Sequence, residues 1–307
     1  MSELTTQDQA KYIGWQGAFY NLAKLVATGG LVWFAGWLYE GFSADGASSY
    51  DASVGSWTVV LLILCGTLVA LGLYHLRALP SGGSASEGRS LRDGLSGLRE
   101  VIGAFFTKRH IWYYIAFIIL YRLGEGFVMK IVPLFLKADT ASGGLGLTNQ
   151  QIGLYYGTFG AGAFLLGSLL AGYYIAHRGL RRTLFILCCI FNIPFAVYAL
   201  LAWLQPQSMW IVGGGIVLEY FGYGFGFVGL TLFMMQQVAP GRHQMAHYAF
   251  ASGIMNLSVM LTGAVSGYLS DALGYGMFFL AVMLATVPAF LVTWFVPFTY
   301  DDKPNDN

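Results

Sequence analysis

Apolar runs of roughly 20 residues recur along the whole chain, and no other feature constrains its fold as much. A run of that length as a helix spans the ~30 Å hydrocarbon layer of a bilayer. Lipid offers the backbone no hydrogen-bond partners, so each such segment must satisfy its own amide groups. Eight runs stand out, at about 13–39, 56–77, 111–136, 149–176, 181–204, 209–236, 247–270 and 275–297. The chain is 56% hydrophobic and only 10% charged, against roughly 25% charged in a soluble domain. The expected fold class is therefore all-α integral membrane with eight transmembrane helices, its first partner the lipid bilayer.

The same composition removes other classes. A net charge of +1 with dispersed basic residues gives no electrostatic footprint for nucleic acid. Cys65, Cys188 and Cys189 fall inside apolar runs, so neither a disulfide framework nor a metal site is expected. The opening "MSELTTQDQAK" is polar and does not read as a cleaved signal peptide. No cofactor is implied.

Lysines and arginines orient the spans. With a cytoplasmic N-terminus, one face receives Lys11, Arg77, Arg89, Arg92, Arg99, Lys108, Arg109, Arg178, Arg181, Arg182, Arg242 and Lys303, and the other only Lys137. Both termini are then cytoplasmic. The long connection after the second span opens with "PSGGSASEGRS", a flexible linker composition. It continues with Leu91, Leu95, Leu98, Ile102 and Phe105 at helical spacing among basic residues, the pattern of an interfacial helix. Four parts follow: 1–77 with two spans, 78–110 as linker and surface helix, 111–297 with six spans, and 298–307 as a cytoplasmic tail.

The third span carries the strongest signal, "YRLGEGFVMK", with Arg122, Glu125 and Lys130 in an otherwise apolar run. At about 100° per residue, one uninterrupted helix puts all three on one side. Charges at mid-span are costly and usually face a cavity or a partner; the alternative is an interhelical ion pair that fixes packing. Span six contributes Glu219. Desolvation favours the neutral acid and a nearby cation the anion, so Glu219 is either a proton carrier or a counter-ion to Arg122 or Lys130. Lys24 either snorkels or joins such a site. His243 and His247 have the i, i+4 spacing of metal ligands, but no acidic or cysteine partner is near in sequence and both sit at a span boundary, so they read as interfacial. Gly224, Gly226 and Gly229 match G-x-G-x-x-G, yet the strand that a nucleotide fold needs is replaced by an apolar run. These glycines, with Gly157, Gly160, Gly162, Gly167 and Gly172, are expected to let helices approach closely.

"GYYIAHRGLRR" resembles the G-x-x-x-D-R-x-G-R-R loop signature of the major facilitator superfamily. Gly172, Gly179 and Arg181 match; Arg178 and Arg182 add to the basic turn. Ala176 stands where the signature carries its acid, so no gating ion pair through that acid is expected. Across spans six to eight, "GYGFGF", "AHYAF" and "SGYLSDALGY" resemble AmpG-type muropeptide permeases and the related acetyl-CoA transporters, and "YRLGEGFVMKIVPLFL" is similar to their seventh helix. The resemblance implies that the eight spans correspond to helices five to twelve of a twelve-helix facilitator, with a four-helix N-terminal portion missing. Spans three and six then become the first helices of two inverted repeats.

The implied function is proton-coupled secondary transport of a small polar solute, such as a muropeptide, sugar or peptide, by alternating access across a bacterial inner membrane. Arg122, Lys130, Tyr121, Tyr155, Tyr156 and Tyr220 are the expected solute contacts, and Glu125 and Glu219 the proton-coupling carboxylates. The alternative is a truncated, non-transporting membrane protein or one half of a split transporter. A membrane-embedded enzyme would need a nucleophile, acid/base dyad or metal ligands near a membrane face; no H-x-x-x-x-D, D-x-D or H-E-x-x-H run is present.

Overall fold

A computed structural model describes residues 6–26, 30–78 and 91–300. Every regular element among them is helical. The structure divides into two compact units, one formed by residues up to Leu22 and from Gly97 onward, the other by Ala23–Ser96.

In the Ala23–Ser96 unit, α2 (Leu31–Ala44) packs beside α3 (Ser49–Ala78). Ser48 begins α3: its hydroxyl accepts from the Asp51 amide at 3.1 Å and donates to the Asp51 carboxylate at 2.6 Å, occupying an amide that the first turn would leave unpaired. The Phe42 ring lies over Gly55. The expected linker at 80–90 and the tail beyond residue 300 lie outside the described residues.

The larger unit contains the first part of α1 (Thr6–Leu25), the end of α4 (Leu91–Phe106), and then α5 (Ile111–Tyr121), α6 (Leu123–Lys137), α7 (Asn149–Ile152), α8 (Gly160–Arg178), α9 (Leu180–Asn192), α10 (Ala196–Leu204), α11 (Met209–Phe233) and α12 (Gln244–Trp294). A π-helix, Gly153–Phe159, joins α7 to α8; a second, Met234–Val238, extends α11. The turn Ile193–Phe195, containing Pro194, separates α9 from α10.

Glycine permits the closest contacts. At Gly224 an added Cβ would sit 2.2 Å from the Phe164 carbonyl oxygen, and at Gly167 2.3 Å from that of Phe221. These two positions bring α8 and α11 backbone to backbone. Gly226 and Gly229 similarly admit Phe191 and Leu187 of α9. The glycine series in α11 is thus a packing surface. Gly172 meets Ala10 and Gly14 of α1, and Gly160 lies under the Tyr220 ring. At Gly157 and Gly162, expected to join this class, an added Cβ would meet nothing within 4 Å, so neither supports a close helix approach.

Five helical stretches are long and apolar enough to cross a membrane among the described residues: Ser49–Ala78, Gly153–Arg178, Leu180–Leu204, Met209–Val238 and Gln244–Trp294. The last reverses at Gly274, whose φ of 71° and ψ of 161° are non-helical. Two expected spans differ from single rods. The run at 13–39 falls on α1 and α2, with residues 27–29 outside the described set; Lys24 is in α1, its side chain also outside it. The run at 111–136 is broken at Arg122, with φ −102° and ψ 7°.

Candidate functional site

The break at Arg122 organises the centre of the larger unit. Arg122 is at once the last cap of α5 and the first cap of α6. The carbonyl end of α5 and the amide end of α6 therefore meet at this residue, and their partial charges favour a cation beside the first and an anion beside the second. Glu125 lies in the first turn of α6. Arg122 Nε donates to Glu125 Oε2 at 2.5 Å, and a second guanidinium nitrogen donates to Oε1. The pair is bidentate and buried, at 5% and 4% exposure. The guanidinium carbon lies 5.2 Å from the Phe227 ring centre, adding cation–π attraction. Tyr121 anchors the break, its hydroxyl donating to the Gly226 carbonyl at 2.9 Å.

Glycines let α6 settle here. A Cβ at Gly126 would overlap the Thr262 hydroxyl, and one at Gly124 would come 2.5 Å from a Thr286 methyl. The start of α6 thus lies flat on both arms of α12.

Glu219 of α11 is 6% exposed. Tyr198 of α10 donates to its Oε2 at 2.8 Å, and no cation lies in ion-pair range of it among the described residues. The counter-ion alternative for Glu219 therefore finds no partner among them: Arg122 is engaged by Glu125 through two hydrogen bonds, and Lys130 is exposed. Glu125 and Glu219 nevertheless line one cavity, with Val128, Met129, Tyr156, Tyr198, Tyr220 and Tyr223. About 30 Å³ of it is open to a water-sized sphere, enough for a water molecule but not for an organic solute. Tyr156 meets Tyr220 edge to face at 5.0 Å. Tyr155 presses its ring on Gly213 instead and is absent from the cavity lining.

Lys130 requires a correction. It is exposed, its stem beside Gly263, and does not join Arg122 and Glu125. In one unbroken helix Arg122 would sit between Glu125 and Lys130, which are themselves about 140° apart at 100° per residue; the break at Arg122 removes that link and leaves the two on different sides of α6. The interhelical ion pair weighed from sequence is likewise a local i, i+3 pair.

In the basic turn, Gly179 joins α8 to α9 at φ 80° and ψ 149°, a conformation that side chains disfavour. Arg178 lies 5.8 Å from the Tyr174 ring and Arg181 5.9 Å from the Phe298 ring, while Arg182 points outward, exposed. Gly172 contributes to helix packing, not to the turn. His247 Nε2 lies 3.2 Å from the Val101 carbonyl and His243 Nε2 3.6 Å from Glu100.

Sequence reasoning missed Tyr198, Tyr223 and Lys108. The Lys108 ammonium donates to the carbonyls of Val238, Ala239 and Pro240 at 2.6, 3.1 and 2.7 Å, closing the end of the α11 extension. Burial brings its pKa down to about 8. Gln237 beside it accepts from the Thr299 and Tyr300 amides and donates to the Tyr300 carbonyl.

Residues 120–307 match the family model described as Major Facilitator Superfamily. The chain belongs to the major facilitator superfamily. The match begins one residue before Tyr121, so the whole candidate site lies inside the family region. Anhydromuropeptide permease of Escherichia coli (strain K12) is 25% identical over 188 residues, 61% of this chain and 37% of that protein. Putative transporter AmpG 2 of Rickettsia typhi is 25% identical over 205 residues, covering 63% and 46%. The chain thus spans less than half the length of these two relatives. This facilitator-family chain is a multi-pass membrane protein similar to AmpG-type permeases, and these two relatives are described as a permease and a transporter, not as enzymes.

Proposed function

We propose that this chain is the solute- and proton-handling part of a proton-coupled permease, moving a polar organic solute of the muropeptide, sugar or peptide class across the inner membrane. One observation carries the reading: two buried carboxylates face a single small cavity, one held by an arginine and the other by a tyrosine. Protonation of Glu125 cancels its attraction for Arg122 and leaves the guanidinium with donors to offer an anionic or hydroxyl-bearing solute. Glu219, held by the neutral donor Tyr198, supplies or accepts that proton through water in the cavity. The narrow cavity requires the helices to part before a solute can enter, as alternating access demands. Lys130, on the exposed face of α6, meets the solute outside the cavity.

In this reading the eight apolar runs are eight spans with both termini cytoplasmic, equivalent to helices five to twelve of the longer relatives. Residues 1–77 belong to the first half, 78–110 form the central connection, 111–297 the second half and 298–307 the tail. The test uses the complete reading frame containing this chain, purified into proteoliposomes and supplied with radiolabelled anhydromuropeptide. Glu219→Gln should retain solute exchange and lose accumulation driven by a pH gradient. Arg122→Ala should insert normally and lose uptake. Full proton-driven accumulation by both Glu125→Gln and Glu219→Gln would remove the coupling assignment, and normal uptake by Arg122→Ala would remove the binding role.

A further inference from the structure

The end of α4 has one face on the protein and another that is largely exposed among the described residues. On the protein side, the buried Phe105 ring lies 5.6 Å from Phe250 and 5.5 Å from His247. The Val101 carbonyl meets His247, and Glu100 reaches Arg242 at 3.2 Å and His243 at 3.6 Å. All of these contacts fall on the start of α12 or the turn before it. On the other face Leu98, Ile102 and Phe106 are exposed at four-residue spacing. Phe106 stacks at 5.4 Å on Trp112 of α5, itself 67% exposed. The stripe is therefore continuous with the exposed surface of α5, whose sequence is almost wholly apolar. Exposed Arg99, Arg109 and Arg242 flank it, matching an anionic surface.

We propose that α4 is a strap released by anionic lipid: its apolar stripe rests in the bilayer interface, and phospholipid phosphates compete with Glu100 for Arg242 and His243. The Arg242 and Glu100 side chains are 82% and 58% exposed, so their pair is weak and an anionic surface attracts an adjacent arginine with comparable strength. The same surface repels Glu100. Once this clasp opens, the segment from Gly97 to Ala104 pivots away from the start of α12.

The test places the chain in nanodiscs of phosphatidylcholine, with or without about 30 mol% phosphatidylglycerol. Spin labels go at Gly97, which has open space around it, and at exposed Met245, after replacement of Cys65, Cys188 and Cys189 by alanine. Neutral discs should give one short distance, and anionic discs a population longer by ~5 Å, about one helical turn. Salt at about 1 M, where the screening length is about 3 Å, should restore the short distance. Glu100→Gln should give the long distance in neutral discs, and Ile102→Asn should weaken the response to anionic lipid. Hydrogen exchange over residues 241–247 of the unsubstituted chain should quicken in anionic discs. Identical distances and identical exchange in the two lipids, or a short distance retained by Glu100→Gln, would overturn the proposal.

Discussion

Replacing Glu125 by Gln tests what the central ion pair contributes. Arg122 and Glu125 are 5% and 4% exposed and joined through two hydrogen bonds, so neither reaches bulk solvent when its partner is lost. Removing one member of such a pair costs about 3–5 kcal/mol, whereas replacing both by apolar residues is often neutral or favourable. Glu125→Gln and Arg122→Leu should each lower unfolding stability by about 3–5 kcal/mol. The double variant Arg122→Leu/Glu125→Leu should recover most of that loss. The assay is reversible denaturant unfolding in detergent micelles, comparing midpoints at unchanged slope. Single losses below about 1 kcal/mol, or losses that simply add in the double variant, would refute the coupling. Under the proposed function, a stable double variant that transports normally would reduce the pair to packing alone.

Two further outcomes follow from contacts elsewhere. Gly224→Ala should destabilise by about 1–3 kcal/mol, since its methyl meets the Phe164 carbonyl and backbone has little room to yield; Gly162→Ala, into open space, should be neutral or slightly stabilising in the same unfolding assay. For Lys108, the folded-state pKa of about 8 lies below the ordinary lysine value of 10.5, so between these values the unfolded chain holds more protons and stability should rise with pH. Unfolding midpoints across that window should show the slope, and Lys108→Met should flatten it.

Sequence periodicity placed α8, α9, α11 and both arms of α12 well, because a helix in lipid must announce itself as a long apolar run. It also located the Arg122–Glu125 region and Glu219, since charge stands out there. It could not see the break at Arg122. Nothing local forces that break: Gly124 and Gly126 merely permit it, and the decisive contacts come from Thr262 and Thr286, more than a hundred residues away. Tyr198 was invisible for a related reason. Tyrosine is common in this chain, and only the packing of α10 against α11 singles one out. Lys108 read as one more positive charge on its face, while its actual task is to hold three carbonyls.

The two arms of α12 have unequal lengths. From Gln244 to Leu273 the first arm has 30 residues and reaches about 45 Å, while Tyr275–Trp294 reaches about 30 Å. A hydrocarbon layer about 30 Å thick fits the second arm and is too thin for the first. Because Gly274 alone separates the arms at one end, all of the excess must be taken up by tilt or must emerge at the Gln244 end. Bilayer thickness therefore acts on this hairpin asymmetrically: a thicker membrane draws the longer arm upright and pulls its outer turns toward the apolar layer, leaving the shorter arm to stretch its surroundings.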